Sequence, residues 1–171
     1  MTNMKFGSPF RILSGSDIEN AVKEEVLMID PFQSSRAQPT SYDICIGQAL
    51  NYRPGINDQS DLKGGNRVNF TNLELHPTQS VLFISEETFR FPYDMFAEIY
   101  LRSRYSRQLN CSSHLGRIEC GWSGRLVLEL TNQSLNRTVL FTQGTEVASL
   151  VIFQIDKPSD TFYSGLFQNW H

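Results

Sequence analysis

Three arginines and two serines fall within seven residues at Leu101-Arg102-Ser103-Arg104-Tyr105-Ser106-Arg107. Guanidinium forks bind phosphate oxygens in pairs, and serine hydroxyls add short donors beside them. The pattern is also compatible with a solvated edge strand following the apolar run Phe96–Leu101. A second position with chemical potential is Glu129, inside Arg125-Leu126-Val127-Leu128-Glu129-Leu130-Thr131. Strand periodicity puts Leu126, Leu128 and Leu130 on one face and Val127, Glu129 and Thr131 on the other. In a cleft that carboxylate could accept and return protons. On the wet face of a sheet it would only be solvated.

Other chemistries lack their residues. A zinc deaminase needs His-x-Glu followed by Pro-Cys-x-x-Cys to hold the metal that activates water. The chain has neither, and His76, His114 and His171 are far apart. It has no phosphate-binding P-loop, no Gly-x-Gly-x-x-Gly after a strand and no Gly-x-Ser-x-Gly elbow.

The elements that must position these groups are mostly strands. Ser14-Gly15-Ser16-Asp17 is a capping box, with Ile18, Ala21, Val22 and Glu25 at helical spacing, and this predicts one short helix over about Ser16–Glu24. Beyond it come short β-rich runs around Tyr42–Ile46 and over Val81–Ser85, Phe96–Leu101, Arg125–Thr131, Thr138–Phe141 and Val147–Ile155. Turn signals punctuate them, among them Arg53-Pro54-Gly55, Lys63-Gly64-Gly65-Asn66, Phe91-Pro92-Tyr93-Asp94 and Gln143-Gly144. Many short strands divided by turns predict an all-β sandwich, jelly roll or barrel in a single domain. Residues 157–171 open on the polar breaker Lys157-Pro158-Ser159-Asp160-Thr161 and continue aromatic-rich without a clear period. They read as a frayed tail or as an arm folding over a ligand or a neighbouring subunit.

At 171 residues and 40% hydrophobic content the chain can bury a sizeable core. Its net charge of −3 does not suit a nucleic-acid polymer, whose phosphate backbone calls for a basic face. A local basic patch suits a small anionic ligand better. Three widely spaced cysteines, Cys45, Cys111 and Cys120, read as reduced thiols in a cytoplasmic protein. No apolar run exceeds four residues, so no membrane helix is expected, and residues 1–11 lack the apolar stretch of a secretory signal.

Several of these segments, in this order, resemble the dCTP deaminase / dUTPase family. Ile12-Leu13-Ser14 through Asp17-Ile18 resembles its opening helix. Gln38-Pro39-Thr40-Ser41-Tyr42-Asp43-Ile44-Cys45-Ile46-Gly47 resembles its QPSSYDLRLG, and Arg102–Arg107 its RSSLAR. Arg117-Ile118-Glu119-Cys120-Gly121-Trp122-Ser123-Gly124, continuing to Leu128-Glu129-Leu130-Thr131-Asn132, is similar to its RIDPGW-x-G and LEL-x-N. Tyr163-Ser164-Gly165-Leu166-Phe167-Gln168 is similar to its closing Y-x-G-K-Y-Q.

The resemblance implies a distorted β-barrel or jelly roll, assembled as a homotrimer with sites between subunits. It implies a small-molecule nucleotide as ligand (dCTP, with dUTP or dTTP as others) carrying Mg²⁺ on its triphosphate, and deamination without zinc. Arg102 would contact phosphate, Ser103 and Arg107 would position water and stabilise charge at the pyrimidine, and Glu129 would shuttle the proton. Arg104, Glu119 and Val127 would border the substrate, with Tyr163 and Gln168 in the covering arm. Arg104 stands where the family has a second serine, and Glu119 where dUTPases use Asp for pyrophosphate cleavage. Three readings follow: a dCTP deaminase, a dUTP diphosphatase or bifunctional enzyme, and a non-catalytic nucleotide-binding relative.

Overall fold

The computed structural model describes residues 10–50, 67–114, 116–161, 163–165 and 168–169. Two of the expected turns, Arg53-Pro54-Gly55 and Lys63-Gly64-Gly65-Asn66, together with Leu166 and Phe167 of the closing segment, lie outside the described residues. Thirteen strands are present among the described residues: β1 (Phe10–Ile12), β2 (Met28–Asp30), β3 (Ala37–Gln38), β4 (Ser41–Leu50), β5 (Arg67–Val68), β6 (Asn72–Leu75), β7 (Ser80–Arg90), β8 (Met95–Leu101), β9 (Cys111–Ser112), β10 (Arg117–Ile118), β11 (Ser123–Asn132), β12 (Val139–Thr142) and β13 (Glu146–Ile155). The pairings among them are antiparallel. The main path runs β10-β8-β13-β4-β7-β11-β9 and curls into a half-barrel, while β12 and β6 form a separate ribbon. The all-β expectation holds.

The helix α1 spans Gly15–Lys23. Ser14 caps it: its hydroxyl accepts from the Asp17 backbone N–H, and the Asp17 carboxylate accepts from the Ser14 N–H, so two otherwise orphaned donors are satisfied. Ile18 and Ala21 face the core.

The long strands supply the interior. In β11 buried and half-buried residues alternate along all ten positions, with Leu126, Leu128 and Leu130 inward as the periodicity predicted. The core is aromatic-rich. Phe83 packs on Phe141 at 5.1 Å between ring centroids, and Tyr105 stacks on Phe141 at 5.4 Å.

One short region shapes everything around the candidate site. Between the pairs Arg125–Thr88 and Val127–Ile84, β7 runs four residues against two in β11, a bulge centred on Ser85, Glu86 and Glu87. The Ser85 hydroxyl fills the gap, donating to the Glu87 carbonyl at 2.6 Å and accepting from the Leu126 N–H at 2.9 Å. On the other side β4 bulges between Ile46 and Gln48. A Cβ on Gly47 would lie 2.9 Å from the Glu86 Cα and from the Ser85 carbonyl oxygen, so only glycine lets the two bulges meet.

The edge-strand reading of the arginine–serine segment is corrected. After β8 ends at Leu101, Arg104–Gln108 forms a single π-helical turn, closed by Leu109 N–H donating to the Arg104 carbonyl at 3.0 Å. Tyr105 is the reason the chain turns there. Its ring is buried against Phe141, which a strand ending in solvent would not allow.

Candidate functional site

β11 presents Arg125, Val127 and Glu129 on its outer face, and all three line one pocket of about 340 Å³. Leu82 of β7 lies directly across from Glu129. The other walls are Ile99 of β8, His114 and Gly116 before β10, Arg117 to Glu119, Trp122, and Tyr163 from the closing segment. One wall is apolar (Leu82, Ile99, Val127 and the buried Trp122) and the rim is charged, the composition expected of a site for a flat polar ring.

Glu129 is about one-third exposed. Its main chain is held from both sides, by β7 through the Leu82 pairing and by Ser113, whose hydroxyl donates to the Glu129 carbonyl. Glu119 follows β10, and its Oε1 accepts from Arg117 Nε at 3.0 Å and Nη2 at 2.7 Å. The Arg117 guanidinium also lies 5.7 Å over the Phe96 ring. Arg125 is tied to the Ser85 carbonyl by two donors and to Gln48 Oε1 by a third at 3.2 Å.

The closing segment packs on the turn between β10 and β11. Tyr163 N–H donates to the Cys120 carbonyl at 3.4 Å. The Gln168 side-chain amide donates to the Gly121 carbonyl at 3.1 Å, and its oxygen accepts from Ser123 N–H at 3.3 Å. Gln168 thus clips the segment to the turn that carries Trp122, and Tyr163 reaches the pocket.

The arginine–serine turn lies elsewhere. None of Arg102, Ser103, Arg104 and Arg107 lines the pocket. Arg102 is ion-paired with the buried Asp43 at 3.0 Å and with Glu146. Burial raises the Asp43 carboxyl above its usual range, and Arg102 pulls it back down. Ser103, Arg104 and Arg107 are exposed. Within one chain, then, Glu129, Glu119, Val127 and Tyr163 come together and the cationic turn stays apart.

Among the described residues one group of potential metal donors is close-set: Cys45, Glu86 and Glu87. Arg36 occupies it, donating to Glu87 Oε1 at 2.6 Å and Glu86 Oε2 at 3.0 Å. Burial pushes the Cys45 thiol up to about 12, far from the thiolate a metal needs. Cys45, Cys111 and Cys120 are all free, the first two buried. No helix among the described residues is long and apolar enough to cross a membrane.

A family model described as dCTP deaminase-like matches residues 12–155. The chain belongs to that family. A relative from Aquifex aeolicus named "dCTP deaminase, dUMP-forming" is 26% identical over 161 residues, 92% of this chain and 89% of its own. Among solved structures, 2'-deoxycytidine 5'-triphosphate deaminase from Agrobacterium tumefaciens superposes with a TM-score of 0.69 at 18% identity, covering 86% of this chain and 50% of that one. A mutant dUTPase from phage phi11 of S. aureus, described with a structural Mg(II) ion, superposes at 0.52 with 14% identity, covering 81% and 97%. Both likenesses carry the fold, and they confirm the dUTPase-like architecture that the strand pattern alone left open among sandwich, jelly roll and barrel.

Arg117, Trp122, Arg125 and His114 line the pocket, yet none stood out as a site residue. Arg125 was visible in the alternation that placed Val127 and Glu129 outward. Arg117 and Trp122 were inside a recognised motif without a role. For His114 no sequence signal existed, because only the folding of the segment Cys111–Ser113 against β11 brings it to Glu129.

Proposed function

We propose that this chain is a subunit of a zinc-independent deaminase converting dCTP to dUTP and ammonia. The observation that carries the reading is Glu129, a carboxylate on a doubly held strand, facing a half-apolar pocket in a chain of the dCTP deaminase-like family. Cytosine stacks against the apolar wall. Glu129 takes a proton from water as the oxygen adds to C4, and passes it to the ring N3. It then moves the second proton from the new hydroxyl to the amino group, which leaves as ammonia. The atoms balance: water adds, ammonia departs, and the ring keeps one proton at N3. A positioned general base of this kind contributes roughly 10²–10⁴-fold. Mg²⁺ enters with the triphosphate as part of the substrate.

Ser103 and Arg107 are assigned the roles of positioning water and stabilising charge, and Arg102 and Arg104 that of meeting phosphate. Their distance from the pocket within one chain supports a homotrimer in which a neighbour's cationic turn completes each site. Glu119 and Val127 border the base and sugar, and Tyr163 and Gln168 belong to an arm, residues 157–171, that closes the pocket. The diphosphatase reading asks Glu119 to act as a base. Two Arg117 donors already hold one of its oxygens, which favours the deaminase.

The deciding experiment incubates purified protein with Mg²⁺ and either dCTP or dUTP and resolves the products. Ammonia with dUTP from dCTP is the expected result, and ammonia with dUMP identifies the bifunctional form. Pyrophosphate from dUTP without any ammonia from dCTP overturns the deaminase. Light scattering is expected to give three times the 19.6 kDa chain mass. Mixed assemblies of Ser103→Ala and Glu129→Gln subunits should regain activity that neither variant has alone. A monomer, or no regain, removes the shared site.

A further inference from the structure

We propose that His114 is a positioning residue for Glu129, holding one carboxylate oxygen so that the other faces the pocket. The proposal rests on the deaminase reading of Glu129. It starts from the backbone. Cys111 and Ser112 pair with Asn132 and Thr131 of β11, and Ser113 donates its hydroxyl to the carbonyl of Glu129 itself. The segment is therefore stapled to β11 at the residue concerned, and His114 is next in the chain. Its Nδ1 stands 3.5 Å from Glu129 Oε2.

Among the described residues, the remaining surroundings of Glu129 offer no equivalent contact. Leu82 lies across the strand pair and Val127 beside it on the same face. Of the other charged groups lining the pocket, Arg117 and Glu119 are bonded to each other, and Arg125 is bonded to Ser85 and Gln48. A glutamate about one-third exposed samples several rotamers, and ordering it costs entropy. An Nδ1–H donor at Oε2 selects one of them. The separation is long for a finished hydrogen bond, as catalytic contacts commonly are before substrate arrives. The imidazole is 86% exposed, so it contributes little to the core and its loss leaves the fold intact.

The test uses three variants of the full chain. His114→Ala should lower kcat about tenfold, the size of one net hydrogen bond, with KM within about twofold. His114→Asn should recover most of that loss, since its amide nitrogen sits near the place of Nδ1 and can donate to the same oxygen. An unchanged kcat in His114→Ala, or an asparagine variant as slow as the alanine one, overturns the proposal. The third measurement needs no substrate. The His114 Cε1–H proton resonance, recorded at one fixed pH, should move in Glu129→Gln. A resonance that stays put overturns the pairing. Wild-type protein that releases no ammonia from dCTP would instead fail the deaminase reading, and the resonance would still decide the pair.

Discussion

Glu129→Gln is expected to abolish detectable ammonia release while leaving dCTP binding within about tenfold. Glutamine keeps the length, planarity and one oxygen of the side chain, so it preserves the pocket that Leu82, Val127 and Trp122 shape. It loses the ability to accept a proton from water and return it. A general base contributes roughly 10²–10⁴-fold, and a variant that binds normally but turns over that much more slowly has lost an interaction made only in the transition state. The same substitution discriminates the diphosphatase. In that enzyme the base would be Glu119, and Glu119→Gln rather than Glu129→Gln would stop turnover. The measurement is single-turnover ammonia release alongside equilibrium binding of dCTP. A Glu129→Gln protein that keeps most of its rate would mean that the carboxylate only solvates the outer face of β11.

How much of this was legible before folding differs by element. The alternation in Arg125–Thr131 was visible because strand period alone sets it, and α1 because its capping box is a local sequence signature. β2, β3, β5, β9 and β10 were not read as strands. Each has only two or three residues, too few to show a period, and each exists because a longer strand offers it an edge. The turn at Arg104–Gln108 was misread for a related reason. The sequence around Tyr105 is polar on both sides, and only the presence of Phe141 explains why that ring goes inward. At the site, Glu129 and Val127 could be placed from pattern. The distance between the pocket and the cationic turn could not, because it depends on the sheet order β10-β8-β13-β4-β7-β11 rather than on any local spacing. The buried pairing of Arg36 with Glu87 gave no signal either, its members standing fifty-one positions apart.

That pairing leads to the largest expected change in stability. Glu87 is fully buried, and Arg36 is nearly so. Besides Arg36, the carboxylate accepts from the Cys45 N–H at 3.2 Å. Together these contacts tie the turn Ser34–Arg36 and β4 to the bulge of β7, against which β11 sets the register of Val127 and Glu129. Burial pushes Glu87 up to about 7 from an ordinary 4.5, with the Cys45 N–H and Arg36 pulling it back. Because the folded value is the higher one, the folded protein holds this proton where the unfolded chain has released it. The contribution is fully present below about pH 4.5 and is lost as pH rises through about 7, roughly 3 kcal/mol in all at about 1.4 kcal/mol per unit. Arg36→Met keeps the bulk of the side chain and removes the cation. At pH 5 Glu87 is protonated in the folded state with or without Arg36, so the loss should be about 1 kcal/mol, that of a hydrogen bond. At pH 8, about one unit above the wild-type value, a variant that keeps the proton forgoes about 1.4 kcal/mol of ionisation, and the loss should reach about 2.5 kcal/mol. Glu86 is partly exposed and can turn to water, so it adds little to the difference. Urea unfolding of wild type and Arg36→Met at the two pH values measures both numbers. Equal losses at pH 5 and pH 8 would show that Arg36 does not change where the folded Glu87 carboxyl titrates.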